Sequence, residues 1–397
     1  MANTVSSPEK SQSLKKLMLA HFLQHKLAVA GFICILFLSS VALFVDGIAK
    51  ITGLDPDRQN ITHRYLPPLS RAVASTDQIE SQIEQFLNLH RDQALAIGQA
   101  LLQTGKLSTT DPEEALFEVA RLSTSDAIAA EVLLKDLQKN PQISESLPLY
   151  TKSFQSMSTF HLFGTDELGR DVLIRLIYGT RVSLGVGVLV ALASALIGLL
   201  IGSLAGYFGG VLDIVLMRVT DALLSLPTIP VLIIMAAIDL SKLPALKSFI
   251  SAGNESIYKM VFILCLFSWM TVALLVRGSI LSLKEQDFIL AARTLGATDF
   301  TIILRHIFPN VLAPILVSIT LGVGESILFE AALSFLGLGI MPPTASWGNM
   351  LNNAQELIYQ APFLALLPGV MILITTISFN FIGDGLQAAL DPKSLQR

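Results

Sequence analysis

The chain has 397 residues, a mean hydropathy of +0.62, 52% hydrophobic residues and only 15% charged ones. A soluble domain of this length carries about 25% charged residues, so much of this surface faces something other than water. The formal net charge of −4 and the lack of a basic tract argue against nucleic acid as a partner.

A helix that crosses a bilayer needs about 20 apolar residues. Residues 1–26 form a leader bearing Lys10, Lys15, Lys16 and Lys26, with His21 and His25 on one expected helix face. The first apolar run, 27–47, is long and no small-x-small cleavage site follows it, so it reads as a retained anchor. Residues 48–162 read as an ordinary water-soluble segment, and 71–158 within it as three amphipathic helices. The first starts near Ser75 and carries Ile79, Ile83, Phe86, Leu87, Ala94 and Ile97 as far as Gly105. The second opens on Asp111-Pro112-Glu113, an N-cap followed by proline at the first helical position. The third starts near Ser125 and stops at Asn140-Pro141.

Gly164-Thr165-Asp166 and Gly169-Arg170-Asp171, with Glu167 between them, form a turn-rich stretch of mixed charge. It reads either as an outer mouth ordered by local ion pairs or as a solvated turn. It is not a phosphate loop, because Arg170-Asp171 stands where Lys-Ser/Thr is required, and the chain has no other. Five further apolar runs follow, at 182–205, 219–238, 258–278, 311–335 and 363–383. The 219–238 run is interrupted by Pro227 and Pro230, which membrane helices tolerate when neighbours satisfy the freed carbonyls. Cys34 and Cys265 each sit in an apolar run and read as small buried hydrophobes.

Between the fourth and fifth spans lies EQDFILAARTLGATDFTIILRHIFP, residues 285–309. Glu285 and Asp287 open a helix expected to run to Leu295, with Arg293 in its last turn. Ala291, Ala292 and Gly296 leave one face almost bare, so that another protein's backbone can approach closely. Gly296 then bends the chain, a second short helix follows, and Pro309 is expected to end it at the membrane. This is either a rigid hook for a soluble partner or a surface helix that joins two spans.

Glu325 and Glu330 fall inside the fifth run, where a charge costs about 2.5–3.5 kcal/mol near a helix centre. Five residues turn a helix by about 140°, so the two cannot share a face. One is expected to face a pore and the other a neighbouring helix, unless Glu330 reaches water at the external end. Pro342-Pro343 and Ser346-Trp347-Gly348 follow, as a re-entrant segment or as an anchor placing Trp347 at headgroup depth. Asp384 is expected at the cytoplasmic edge. No nucleophile–base pair, catalytic carboxylate pair or metal-ligand cluster stands out.

Orientation follows from Lys and Arg in the short loops. The leader lysines, Arg277, Lys284, Arg293, Arg305, Lys393 and Arg397 fall on one side, against Lys242 and Lys247 on the other. Both termini are therefore expected in the cytoplasm and 48–162 outside. Arg170, Arg175 and Arg181 run against that count. The fold class is an all-α polytopic membrane protein with six transmembrane helices and a small helical extracytoplasmic insert.

The 285–309 segment resembles the EAA loop of ABC-importer permeases, with Ala291, Ala292 and Gly296 matching its alanines and glycine and Pro309 its closing proline. Leu290 departs from the usual Glu, and Phe308 from the usual Leu. Three further stretches are similar to the dipeptide/oligopeptide/nickel branch: FGTDELGRDVLIRLIYGTRVSL (163–184) leading to LAGYFGG (204–210), EAALSFLGLGIMPPTASWGNML (330–351) and FNFIGDGLQAALDP (379–392). Residues 54–68 resemble what normally sits close before the first of these, which makes 71–158 an insertion. The resemblance covers 163–392 and implies a type I permease domain in a bacterial inner membrane. It implies a second homologous permease, two ATPase subunits that hold the ATP and Mg, an extracytoplasmic solute-binding protein and a peptide cargo. Nickel or another small solute is the alternative cargo in the same family. A secondary transporter would instead show inverted repeats, and a membrane scaffold would use the external bundle.

Overall fold

The computed structural model describes residues 14–390 apart from 53, 58, 74–75, 126, 138–142, 144–146, 148–149, 151–157, 239–254 and 353. The expected Ser75 start, the Asn140-Pro141 stop, the Lys10, Lys242 and Lys247 positions and the 393–397 tail lie outside the described residues. The chain divides into two compact units, Asp57–Leu173 and the remainder, Met1–Pro56 with Ile174–Arg397.

The larger unit is helical. Helix α1 (Leu14–Gln24) ends where His25 caps α2 (Lys26–Leu43), its Nδ1 accepting the Ala28 N–H at 3.2 Å. His21 and His25 therefore do not share one continuous helix. The first span ends at Phe44, and a short helix, α3 (Val45–Thr52), follows. Small residues set the packing of α2, since a Cβ on Gly31 would come within 2.6 Å of the Ser378 carbonyl oxygen.

In the smaller unit the expected first amphipathic helix is two helices, α4 (Thr76–Leu89) and α5 (Arg91–Gln103). The chain breaks at His90, so that α5 packs on α6 as well as α4; a continuous apolar period gives no sign of such a fold-back. Helix α6 (Pro112–Ser125) starts with Asp111 accepting the Glu113 N–H at 3.0 Å. With α7 (Ala127–Leu137) these helices enclose Ile97, Leu101, Leu116, Val119 and Tyr150, whose hydroxyl donates to the Leu116 carbonyl at 2.9 Å. Two short strands, β1 (Ser70–Val73) and β2 (Ser158–His161), were not expected; they pair antiparallel and bring the two ends of the helical insert together.

The remaining spans are α8 (Val172–Phe208), α11 (Glu255–Leu283), a helical stretch from Asp299 to Phe335 and α15 (Phe363–Leu390). The span expected over 219–238, interrupted at its prolines, is α9 (Gly210–Leu224) and α10 (Thr228–Ala237), meeting at 85°. Pro227 drives the residue before it out of helical conformation, and Pro230 then sits in the first turn of α10, where no N–H is needed. Cys34 and Cys265 are half-buried rather than buried.

Val73 and Ser158 are opposite partners in the strand pair, so a two-residue Asn-Gly turn closes the gap left by removing 74–157. Such a deletion should integrate into membranes at the yield of the full chain, read by quantitative blotting of the membrane fraction.

Candidate coupling site and translocation path

Three glycines one turn apart shape the end of the bundle from which the 285–309 segment extends. A Cβ on Gly198 or Gly202 would press into Val272 and Val276 of α11, and one on Gly206 would lie 3.1 Å from the Arg277 carbonyl. Without a hydrophobic drive between helices in lipid, such small-residue stripes let backbones pack closely. The close approach sets up a polar cluster. Arg277 makes two hydrogen bonds to Asp213 at 2.5 and 2.7 Å, and Lys284 donates to the Gly206 carbonyl at 3.4 Å.

The hook itself is α12 (Asp287–Thr294), a turn at Gly296, the short helix α13 (Asp299–Ile302), a wide π-helical turn Ile303–Ile307 and α14 (Phe308–Phe335). The Gly296 N–H donates to the Arg293 carbonyl at 3.0 Å, and the Ala297 N–H reaches back to Ala292 at 3.1 Å. This paired closure needs a left-handed residue, and Gly296 supplies a φ of +84°. Nothing lies within 4 Å of where its Cβ would be, so conformation rather than space selects glycine. Pro309 does not end a helix as expected. It stands in the first turn of α14, directly after the π-helical turn, and the chain runs on helically from Asp299.

Ile289, Ile302 and Ile307 are buried against Val276 and Ile280, which seats the hook on the bundle. Tyr207, from the LAGYFGG stretch, ties its two arms together. Its hydroxyl donates to Asp299 and accepts from Arg293 at 3.4 Å, and the Arg293 guanidinium lies 5.9 Å from the ring centroid. Sequence reasoning missed this tyrosine as a contact; its place in the motif was the one available signal. Glu285, Asp287, Ala291 and Gly296 are exposed and Ala292 is half-buried. The outward surface is apolar rather than bare, with Phe288, Leu290, Leu295 and Phe300 exposed, Leu295 by 88%.

The two glutamates of α14 part company as their spacing predicts. Glu330 has no exposed surface, so the reading that it reaches water is overturned. Its carboxyl group accepts the hydroxyls of Ser334, Ser346 and Ser183 at 2.8, 2.9 and 3.3 Å. Each serine oxygen in turn accepts a backbone N–H, from Ile340, Asn349 and Trp347, each at 3.1 Å. One side chain thereby pins the 340–349 segment to α14 and α8. Trp347 is fully buried, its indole N–H on the Leu176 carbonyl at 3.2 Å, so it is not a headgroup anchor. Glu325 is exposed, opens into a cavity between α8, α10, α11 and α14, and has no carboxylate partner among the described residues.

In the smaller unit the 164–171 turn is a buried network, not a solvated one. Asp166 accepts the Leu168 and Arg170 N–H groups at 2.9 Å and pairs with the Arg170 guanidinium at 2.7 Å; Glu167 stands 3.9 Å from it. Asp171 meets His161 at 2.6 Å. Thr165 accepts the Leu66 N–H and donates to the His63 carbonyl, and a Cβ on Gly169 would strike the Asn60 carbonyl, where φ is +70°. Gly164 is also left-handed, at +79°. Residues 60–66 therefore latch onto 164–171 across the insert. The arginines that oppose the loop count all have partners: Arg170 on Asp166, Arg175 on the Pro56 carbonyl and Arg181 on Asp46 at 3.0 Å.

Residues 198–396, which hold the glycine stripe, the hook and both glutamates, match the family described as binding-protein-dependent transport system inner membrane component. The chain belongs to that family. Residues 13–68 match the N-terminal transmembrane domain of oligopeptide transport permease C, and neither match covers the helical insert. The permease is 43% identical over 233 residues to the glutathione transport system permease protein GsiD of Escherichia coli O157:H7, covering 59% of this chain and 72% of that one. It is 41% identical over 239 residues to the dipeptide transport system permease protein DppC of Alkalihalophilus pseudofirmus, covering 60% and 74%. A chain of the MetNI methionine ABC transporter is similar at 19% identity and a TM-score of 0.44, over 55% of this chain and 96% of that one, too loosely to carry an inference. Family and apolar helices together make the permease a multi-pass inner membrane protein.

Two substitutions probe the site. Replacing Glu330 with Ala leaves three buried hydroxyls without their acceptor, at about 1–3 kcal/mol each, and should lower the thermal midpoint in detergent far more than Glu330→Gln. Tyr207→Phe removes a hydrogen bond to a charged group worth about 1.5–3 kcal/mol; amide exchange over 287–302 should rise while α14 stays protected.

Proposed function

We propose that this chain is one permease subunit of an ATP-driven peptide importer, and that its 285–309 hook seats in a cleft of a separate ATPase. The observation that carries the reading is the hook: apolar and exposed on one side, buried by three isoleucines on the other, and cross-braced at Tyr207. A linker between two spans needs no such exposed apolar surface, whereas a mechanical joint needs both a grip and a stiff root. Leu290 supplies apolar contact where the family usually has Glu, and Glu285 and Asp287 supply charge one turn earlier. Peptide cargo is favoured because the relatives are named for glutathione and dipeptide transport.

The remaining parts follow the same reading. ATP and Mg belong to two ATPase subunits, a second homologous permease completes the path, and a solute-binding protein delivers cargo from outside. The hook, the leader and the tail lie in the cytoplasm, in keeping with the loop lysines and arginines. The 164–171 turn orders the outer mouth through its ion pairs.

Gly296→Val forces a β-branched residue into left-handed backbone, which costs about 1–2 kcal/mol even for ordinary residues. Uptake of labelled peptide by the complete transporter should collapse while the variant still integrates into the membrane and the wild-type chain retains its ATPases in mild detergent. Normal uptake by this variant removes the hook from the mechanism.

A further inference from the structure

Glu325 projects into a cavity of about 270 Å³ whose lining, among the described residues, contains no basic residue and no second carboxylate. The lining hydroxyls among the described residues come from four helices: Ser194, Thr228, Ser268, Thr271, Ser318 and Ser326, with apolar side chains between them. Five residues on, Glu330 is wrapped by three serines and shut away from solvent. The fold thus spends its polar groups on one glutamate and leaves the other facing open space. An ionisable group inside a membrane domain faces either a partner or a water-filled pathway, and Glu325 has no partner among the described residues. A lone carboxylate ringed by hydroxyls suits a compact cation with several donors, the chemistry of an ammonium group.

We propose that Glu325 is a cation subsite on the translocation path, which takes the protonated α-amino group of a peptide in transit. The inference rests on the peptide-permease reading above and adds the chemical feature of the cargo that the membrane domain itself recognises. The cavity holds one end of a peptide, with the carboxylate accepting from the ammonium and the hydroxyls taking its other N–H groups.

The test uses the complete transporter in proteoliposomes: both permeases, the ATPases and the binding protein. It compares uptake of a labelled trialanine with that of its Nα-acetyl form. The same binding protein feeds every complex, so its own preference cancels when variants are compared with wild type. In Glu325→Gln the ratio of free-amine to acetylated uptake should fall about tenfold or more, the scale of losing one partner of a desolvated charge pair. Thr228→Lys leaves Glu325 in place but sets an ammonium at an exposed position lining the same cavity, and it should lower the ratio as well. A ratio unmoved in both variants overturns the subsite. So does a Glu325→Gln complex that sheds its second permease while Thr228→Lys keeps the wild-type ratio, because Glu325 is then an interface residue. A wild-type complex that imports neither tripeptide fails the peptide reading itself, and the subsite with it.

Discussion

Close backbone contact between the Val172–Phe208 and Glu255–Leu283 helices is the constraint on which the working parts depend. Gly198, Gly202 and Gly206 present no side chain, so Val272, Ala273 and Ile280 settle against helix backbone. In water such contact adds little to hydrophobic burial, but in lipid it is a main source of helix association. The contact also brings Arg277 onto Asp213, Lys284 onto the Gly206 carbonyl and Tyr207 beside the hook. The hook is therefore rooted in two helices at once.

The two glutamates of the fifth span illustrate how a membrane domain divides its polar groups. Burying a carboxyl group in a dry interior is costly unless hydrogen bonds replace its water. Glu330 meets that condition through three serines that also satisfy three backbone N–H groups, so its burial orders the segment holding Trp347. Glu325, on another face of the same helix, opens into the cavity and has no partner for its carboxylate among the described residues. Identical residues at a five-residue spacing thus have different surroundings, one tied into the scaffold and the other opening into a cavity.

The 57–173 unit shows how a large insertion is tolerated. The ends of the helical insert meet in a strand pair, and the flanking 60–66 and 164–171 segments hydrogen-bond as though adjacent. Tyr65 and Leu69, both at positive φ, mark how tightly the chain turns there. Residues 54–68 already suggested this arrangement by resembling a partner of the 163–184 stretch. The strands themselves were invisible, because four residues paired with a segment about ninety positions away leave no period to detect.

Local chemistry was legible wherever the cause was local. Apolar runs placed the spans, Asp111-Pro112 placed a helix start, and Gly296 placed the bend, since each depends on the backbone preferences and hydropathy of a few neighbours. Pro227 and Pro230 signalled an interruption but not its 85° size, which follows from what each half packs against. The sequence could likewise say that Glu325 and Glu330 face different ways, because helix geometry requires it. Which one is buried, that Trp347 binds a carbonyl 171 residues away and that Tyr207 braces the hook were decided only by tertiary structure. A side chain's partners across the bundle are chosen by the packing of whole helices, and no stretch of one helix contains that information.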